Sequence, residues 1–136
     1  MASEHETNRE DGAARGGLRI LLADDEPMMR EVLARMLAIL GHRTSTVANG
    51  REAVEHYECH ASCIDLVILD SAMPIMDGPQ CFRALRKLNP DVRILVSTAT
   101  PFTEEDLARL YGGISGFIRK PYGLAELSEA VSKAAR

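Results

Sequence analysis

Asp24, Asp25, Asp70, Thr98 and Lys120 could together do chemistry that none of them does alone. Three carboxylates held in one cleft repel one another, and their proton affinities rise unless a cation intervenes. Oxygen ligands without Cys or His suit Mg²⁺, which keeps bound waters and favours phosphate oxygens. A lysine adds a fixed positive charge. A metal and a lysine beside a carboxylate can neutralise an incoming phosphoryl group. A carboxylate that attacks such a group becomes an aspartyl phosphate, and a threonine hydroxyl can donate to a phosphoryl oxygen. Each residue also has a plainer use. Asp24 or Asp25 would serve as a helix cap, Asp70 as a turn residue, Thr98 as a capping hydroxyl and Lys120 as a surface lysine before a proline. Only the fold can decide between the two uses, because the five residues are spread over nearly a hundred positions.

The elements that must position them are legible. Leu18 to Ala23 is a short apolar run ending in Asp24-Asp25-Glu26. Pro27 opens a helical pattern in which Met28, Met29, Val32, Leu33, Met36, Leu37 and Leu40 recur with a period of about 3.6 residues, and Gly41 suits its end. Thr44 to Val47 reads as a weak, polar edge strand. Asn49-Gly50 is a turn, and Ala53, Val54 and Tyr57 mark a second helix. Ile64 to Leu69 is a stronger apolar run ending at Asp70. The turn-rich Met73-Pro74-Ile75-Met76-Asp77-Gly78 follows it, and then a helix carrying Cys81, Phe82, Leu85 and Leu88. Val92 to Val96 runs into Ser97-Thr98. Thr103 caps a short fourth helix with Leu107, Leu110 and Tyr111 on one face. Phe117-Ile118 forms a last strand closed by Lys120-Pro121, and Leu124, Leu127, Val131 and Ala134 mark a final helix.

Apolar strands alternating with amphipathic helices predict an α/β fold, doubly wound, with a parallel sheet covered on both faces. Ligands of such sheets sit beyond the carboxyl ends of the strands, where the strand order switches. Asp24 and Asp25, Asp70, Thr98 and Lys120 stand at the ends of strands one, three, four and five, so they converge on one edge.

Composition narrows the function further. A chain of 136 residues makes one domain. With 4% aromatics and no Trp, its core must be aliphatic. A net charge of -4 lacks the basic footprint of a nucleic-acid binder. No run approaches the roughly 18 apolar residues of a membrane span, and the start has no signal-peptide core, so a cytoplasmic protein is expected. Residues 1–17 are polar without apolar period and are expected to form a flexible tail. Cys59, Cys63 and Cys81 form no CxxC pair. Although His56 and His60 lie near the first two, reduced structural cysteines are the simpler reading.

With these motifs in place, the chain from about Leu18 to Ala135 closely resembles the receiver domain of two-component response regulators. The resemblance is carried by Asp24-Asp25-Glu26, Asp70, Met73-Pro74, Met76-Asp77-Gly78, Thr98-Ala99, and Lys120-Pro121 preceded by Gly116-Phe117. It implies a flavodoxin-like (βα)5 three-layer sandwich over residues 18–136, with a five-stranded sheet in the order 2-1-3-4-5. It implies that Asp70 accepts a phosphoryl group from a phosphohistidine on a sensor histidine kinase or histidine phosphotransfer protein. It further implies Mg²⁺ bound by Asp25, Asp70 and the backbone carbonyl of Ala72, with Asp24 acting through a metal-bound water. Thr98, Ala99 and Lys120 would contact the phosphate, and the Lys120-Pro121 bond is cis in the family. Thr98 and Phe117 would form the switch pair that remodels the surface of helix four, strand five and helix five. Ala72 and Thr100 carry no acid or amide to orient a hydrolytic water, and Pro101 stiffens the loop after strand four.

Two other classes fit less well. A Mg²⁺-dependent phosphohydrolase of the haloacid dehalogenase type also uses an Asp nucleophile after a strand, but needs an acid or base where Ala72 stands. A flavin or nucleotide module needs a Gly-rich or hydroxyl-rich loop after strand one, and Asp24-Asp25-Glu26-Pro27 is its electrostatic opposite. The expectation is therefore a signalling switch rather than a multiple-turnover enzyme, binding neither membrane nor nucleic acid directly. A stand-alone regulator and a receiver from a longer protein, such as a hybrid kinase, are equally compatible with it.

Overall fold

The computed structural model describes residues 17–99, 103–112 and 116–136. The expected N-terminal tail, apart from Gly17, and the Thr100-Pro101-Phe102 loop lie outside the described residues. Five strands alternate with five helices: β1 (Arg19–Ala23), α1 (Pro27–Ile39), β2 (Arg43–Val47), α2 (Gly50–His60), β3 (Leu66–Asp70), α3 (Gly78–Leu88), β4 (Ile94–Thr98), α4 (Glu104–Tyr111), β5 (Gly116–Arg119) and α5 (Leu124–Ala134). A short 3₁₀ turn, Ala61–Cys63, follows α2. All strand pairs are parallel, and the order is β2-β1-β3-β4-β5. The chain winds outward from β1 to β2, then crosses back to lay β3 on the other side of β1. That reversal opens a crevice at the carboxyl ends of β1 and β3.

Because side chains alternate along a strand, the sheet feeds two separate cores. Leu21, Ala23, Val67, Leu69, Ile94 and Val96 point to one face, under α2, α3 and α4. Ile20, Leu22, Leu66, Ile68 and Leu95 point to the other, under α1 and α5. The central strands β3 and β4 are buried along their whole length, as a strand covered on both faces must be. Burial of each such aliphatic side chain contributes about 1.5–3 kcal/mol.

Helix starts follow local chemistry. Pro27 occupies the first turn of α1, where its missing N–H costs nothing. Asn49 caps α2, and reciprocal capping boxes open α3 (Asp77 with Gln80) and α4 (Thr103 with Asp106). Gly112 ends α4 in the left-handed conformation.

Several apolar positions differ from the periodicity reading. On α1 only Leu33 and Leu37 are buried, with Met29, Met36 and Leu40 packed beside them, while Met28 and Val32 face outward. A helix lying on one sheet face can bury only its inner half, and the seven-residue stripe is wider than that. For the same reason Leu88, Leu110 and Leu124 remain partly exposed to solvent. Of the cysteines only Cys81 is structural in the packing sense. Cys59 and Cys63 are free and exposed near the end of α2.

Candidate functional site

The carboxyl ends of β1, β3 and β5 bring four charged side chains together. Asp24 follows β1 and is buried. Asp70, the last residue of β3, is 7% exposed, and Asp25 is open to solvent. One carboxylate oxygen from each of these three residues lies within 4.8 Å of the others, and among the described residues this is the only such group of three or more potential metal-ligating side chains. Lys120 follows β5, and its Nζ lies 3.3 Å from both Asp24 Oδ2 and Asp70 Oδ1. The Lys120–Pro121 peptide bond is cis.

Backbone contacts anchor Asp24 and Lys120. Asp24 N–H donates to Val47 O at 3.2 Å, and Lys120 N–H donates to Thr98 O at 2.8 Å. Asp24 serves two ends: its Oδ1 accepts from Glu26 N–H at 3.0 Å, the turn role, and its Oδ2 meets Lys120. Thr98 is fully buried at the end of β4, one step beyond Ser97, the partner of Asp70 in the ladder. Ala72 and Ala99 are exposed just past the ends of β3 and β4. Phe117 pairs with Val96, two residues short of Thr98, and packs on the α2-α3-α4 core. It stands back from the carboxylates while sharing a sheet face with Thr98.

The electrostatics follow from burial. Burial pushes the Asp70 carboxyl up to about 6. Lys120 pulls against this, while the charges of Asp24 and Asp25 add to it. Burial also works against the charge of Lys120, but Asp70 and Asp24 outweigh it and hold the ammonium above its usual range. One lysine facing three carboxylates leaves the cleft short of positive charge. The donors are all hard oxygens, so a divalent cation of the magnesium type fits the site by both charge and ligand chemistry.

Some participants were not foreseen from the sequence. Arg30 Nη1 donates to the backbone O of Asp24 at 2.7 Å, fixing the β1 terminus from α1. Ser71, next to Asp70, shares a 2.8 Å hydrogen bond with the hydroxyl of Tyr111. The Tyr111 ring in turn meets Phe82 and Phe117 edge-on, with centroids 5.6 and 6.2 Å away. A hydroxyl beside Asp70 and a tyrosine ending a helix carry no periodic signal, so only their spatial pairing reveals them.

Comparison with known proteins agrees with this geometry. The family model for the response regulator receiver domain matches residues 20–132. A transcriptional regulatory protein, TcrA, of Mycobacterium tuberculosis is 38% identical over 111 residues, covering 82% of this chain and 43% of the relative. The response regulator MprA of Mycolicibacterium vanbaalenii is 37% identical over 110 residues, covering 81% of this chain and 47% of the relative. The chain thus spans less than half the length of these curated relatives. The crystal structure of the receiver domain of sensor histidine kinase PA1611 from Pseudomonas aeruginosa, with a magnesium ion coordinated in its active site cleft, superposes with a TM-score of 0.78 at 30% identity. That superposition covers 88% of this chain and 98% of that one. These matches lend the phosphohydrolase alternative no support.

Proposed function

The chain belongs to the receiver-domain family of two-component response regulators, and from that membership we propose that Asp70 takes a phosphoryl group from a phosphohistidine and holds it as an acyl phosphate. One observation carries this reading. Three carboxylates gather at the strand ends, and a lysine ammonium lies 3.3 Å from two of them.

In the proposed reaction an Asp70 oxygen forms the new P–O bond as the P–N bond to the donor imidazole breaks, and the imidazole leaves with the electron pair. With its carboxyl near 6, Asp70 is largely ionised at neutral pH and available as the nucleophile. Lys120, already against Asp70, pairs with the arriving phosphoryl oxygens. The Thr98 hydroxyl and the Ala99 backbone would contact the others. Asp25, Asp70 and the Ala72 carbonyl would hold Mg²⁺, with Asp24 acting through a bound water. When bound, the metal supplies Lewis-acid neutralisation of phosphoryl charge.

As Thr98 engages the phosphate, Phe117 on the same sheet face follows. The surface formed by α4, β5 and α5 then shifts between two packings. The phosphate donor is a sensor histidine kinase or a phosphotransfer protein, and the output partner reads that surface. Residues 18–136 form the receiver unit, and the chain works in the cytoplasm as a switch rather than a turnover enzyme. Among the described residues no helix is long and apolar enough to cross a membrane.

Intact mass after incubation with acetyl phosphate and Mg²⁺ tests the reading. A gain of one phosphate, absent in Asp70→Asn, is expected. An unlabelled wild type, under conditions that label a known receiver, would overturn it.

A further inference from the structure

The loop between β3 and α3 runs from Ser71 to Asp77, up to Gly78 at the start of the helix, and contains the Ala72 carbonyl. Inside it Ile75 sits at φ 71, a left-handed conformation that a β-branched residue adopts only under constraint. Something must therefore hold the loop at its ends. Ser71 N–H donates to Ser97 O at 2.9 Å, and Gly78 N–H donates to Ser71 O at 3.1 Å, which closes the loop on itself.

The remaining hold comes from 40 residues away. The Tyr111 hydroxyl bonds Ser71 Oγ at 2.8 Å and occupies the space a side chain at Gly78 would need. A Cβ there would collide with Tyr111 Oη and come within 2.9 Å of Ser71 Cα and O. One phenol oxygen thus touches both ends of the loop. Tyr111 is buried, edge-packed between Phe82 and Phe117, so its ring is fixed independently of the hydroxyl.

Resting on the phosphoacceptor reading above, we propose that Tyr111 is a positioning residue. Its hydroxyl clamps Ser71 and thereby sets the direction of the adjacent Ala72 carbonyl toward the metal. The clamp also links the acceptor loop to α4 by a path separate from Thr98, and the two paths meet at Phe117.

Isothermal titration with Mg²⁺ alone, on the full chain, tests this. Ser71→Ala and Tyr111→Phe should each raise the dissociation constant by about three- to tenfold, the loss expected for one neutral hydrogen bond. The double variant should be no weaker than the weaker single, because both remove the same bond. Amide shifts of Ala72 and Met73 should move in both singles. Wild-type affinity in either single variant, or losses that multiply in the double, would overturn the clamp. Should Tyr111→Phe fail to fold, Ser71→Ala decides alone by the same two readouts. A wild type that neither binds Mg²⁺ nor labels with acetyl phosphate overturns the functional reading itself. A wild type that does both, alongside variants that match it, overturns only the clamp.

Discussion

Lys120 Nζ reaches Asp70 Oδ1 at 3.3 Å across an intervening strand, since β4 lies between β3 and β5. The same nitrogen is 3.3 Å from Asp24 Oδ2. One ammonium therefore bridges two carboxylates that would otherwise face each other without compensation. Lys120→Met should slow acetyl phosphate labelling by about tenfold to a hundredfold, the scale of losing one charge-stabilising donor. It should also tighten Mg²⁺ binding, because a competing cation is gone. Labelling kinetics and Mg²⁺ titration of the same preparation check both signs, and unchanged labelling would remove Lys120 from the reaction.

Asp70 makes a pH-dependent contribution to stability. Its carboxyl is pushed from the ordinary 3.8 to about 6, first by burial, so the folded chain holds this proton more tightly than the unfolded one. The resulting stabilisation is complete below pH 3.8 and is lost as pH rises through about 6. In metal-free buffer Asp70→Asn should therefore melt above wild type at neutral pH and lose that advantage toward pH 4. The displacement caps the effect near ~3 kcal/mol, and solvent reaching the cleft reduces it to about 1 kcal/mol. Mg²⁺ should stabilise wild type and leave the variant unmoved. Melting curves across pH, with and without metal, report all of this.

The carboxylates, Thr98 and Lys120 could be read from the sequence because each ends a strand, and strand ends in a parallel sheet share one edge. Arg30, Ser71 and Tyr111 could not. Their partners are a backbone oxygen or a lone hydroxyl, set by where a side chain points rather than by any repeat. The outward placement of Met28 and Val32 was hidden for a related reason: periodicity gives the direction of a stripe but not how much of it a neighbour covers.

Ile75 offers a test of local strain. It is exposed and held at φ 71, where a β-branched residue costs roughly 1–2 kcal/mol. Asn tolerates that conformation, so Ile75→Asn should raise stability by about 1 kcal/mol in denaturant unfolding. A neutral or destabilising result would mean that the Ile75 side chain contributes packing of its own.

Thiol chemistry should separate the three cysteines. Cys59 and Cys63 are exposed, whereas burial pushes the Cys81 thiol up to about 12, with a further contribution from Asp77. A thiol-reactive dye should label two cysteines quickly under native conditions and the third only on unfolding. Fast labelling of all three would place Cys81 outside the core.

Among the described residues the sheet ends on one side at β2, which pairs with β1 along its whole length. The edge of a sheet is a template for strands of other copies, and polar or charged side chains blunt it. Arg43, Thr44, Ser45 and Thr46 make this edge a polar ribbon, with Arg43, Ser45 and Thr46 facing solvent. The weak strand signal of this segment is thus the signature of protection against aggregation, and replacing its hydroxyls with Val or Ile would exchange a clearer strand for a less soluble protein.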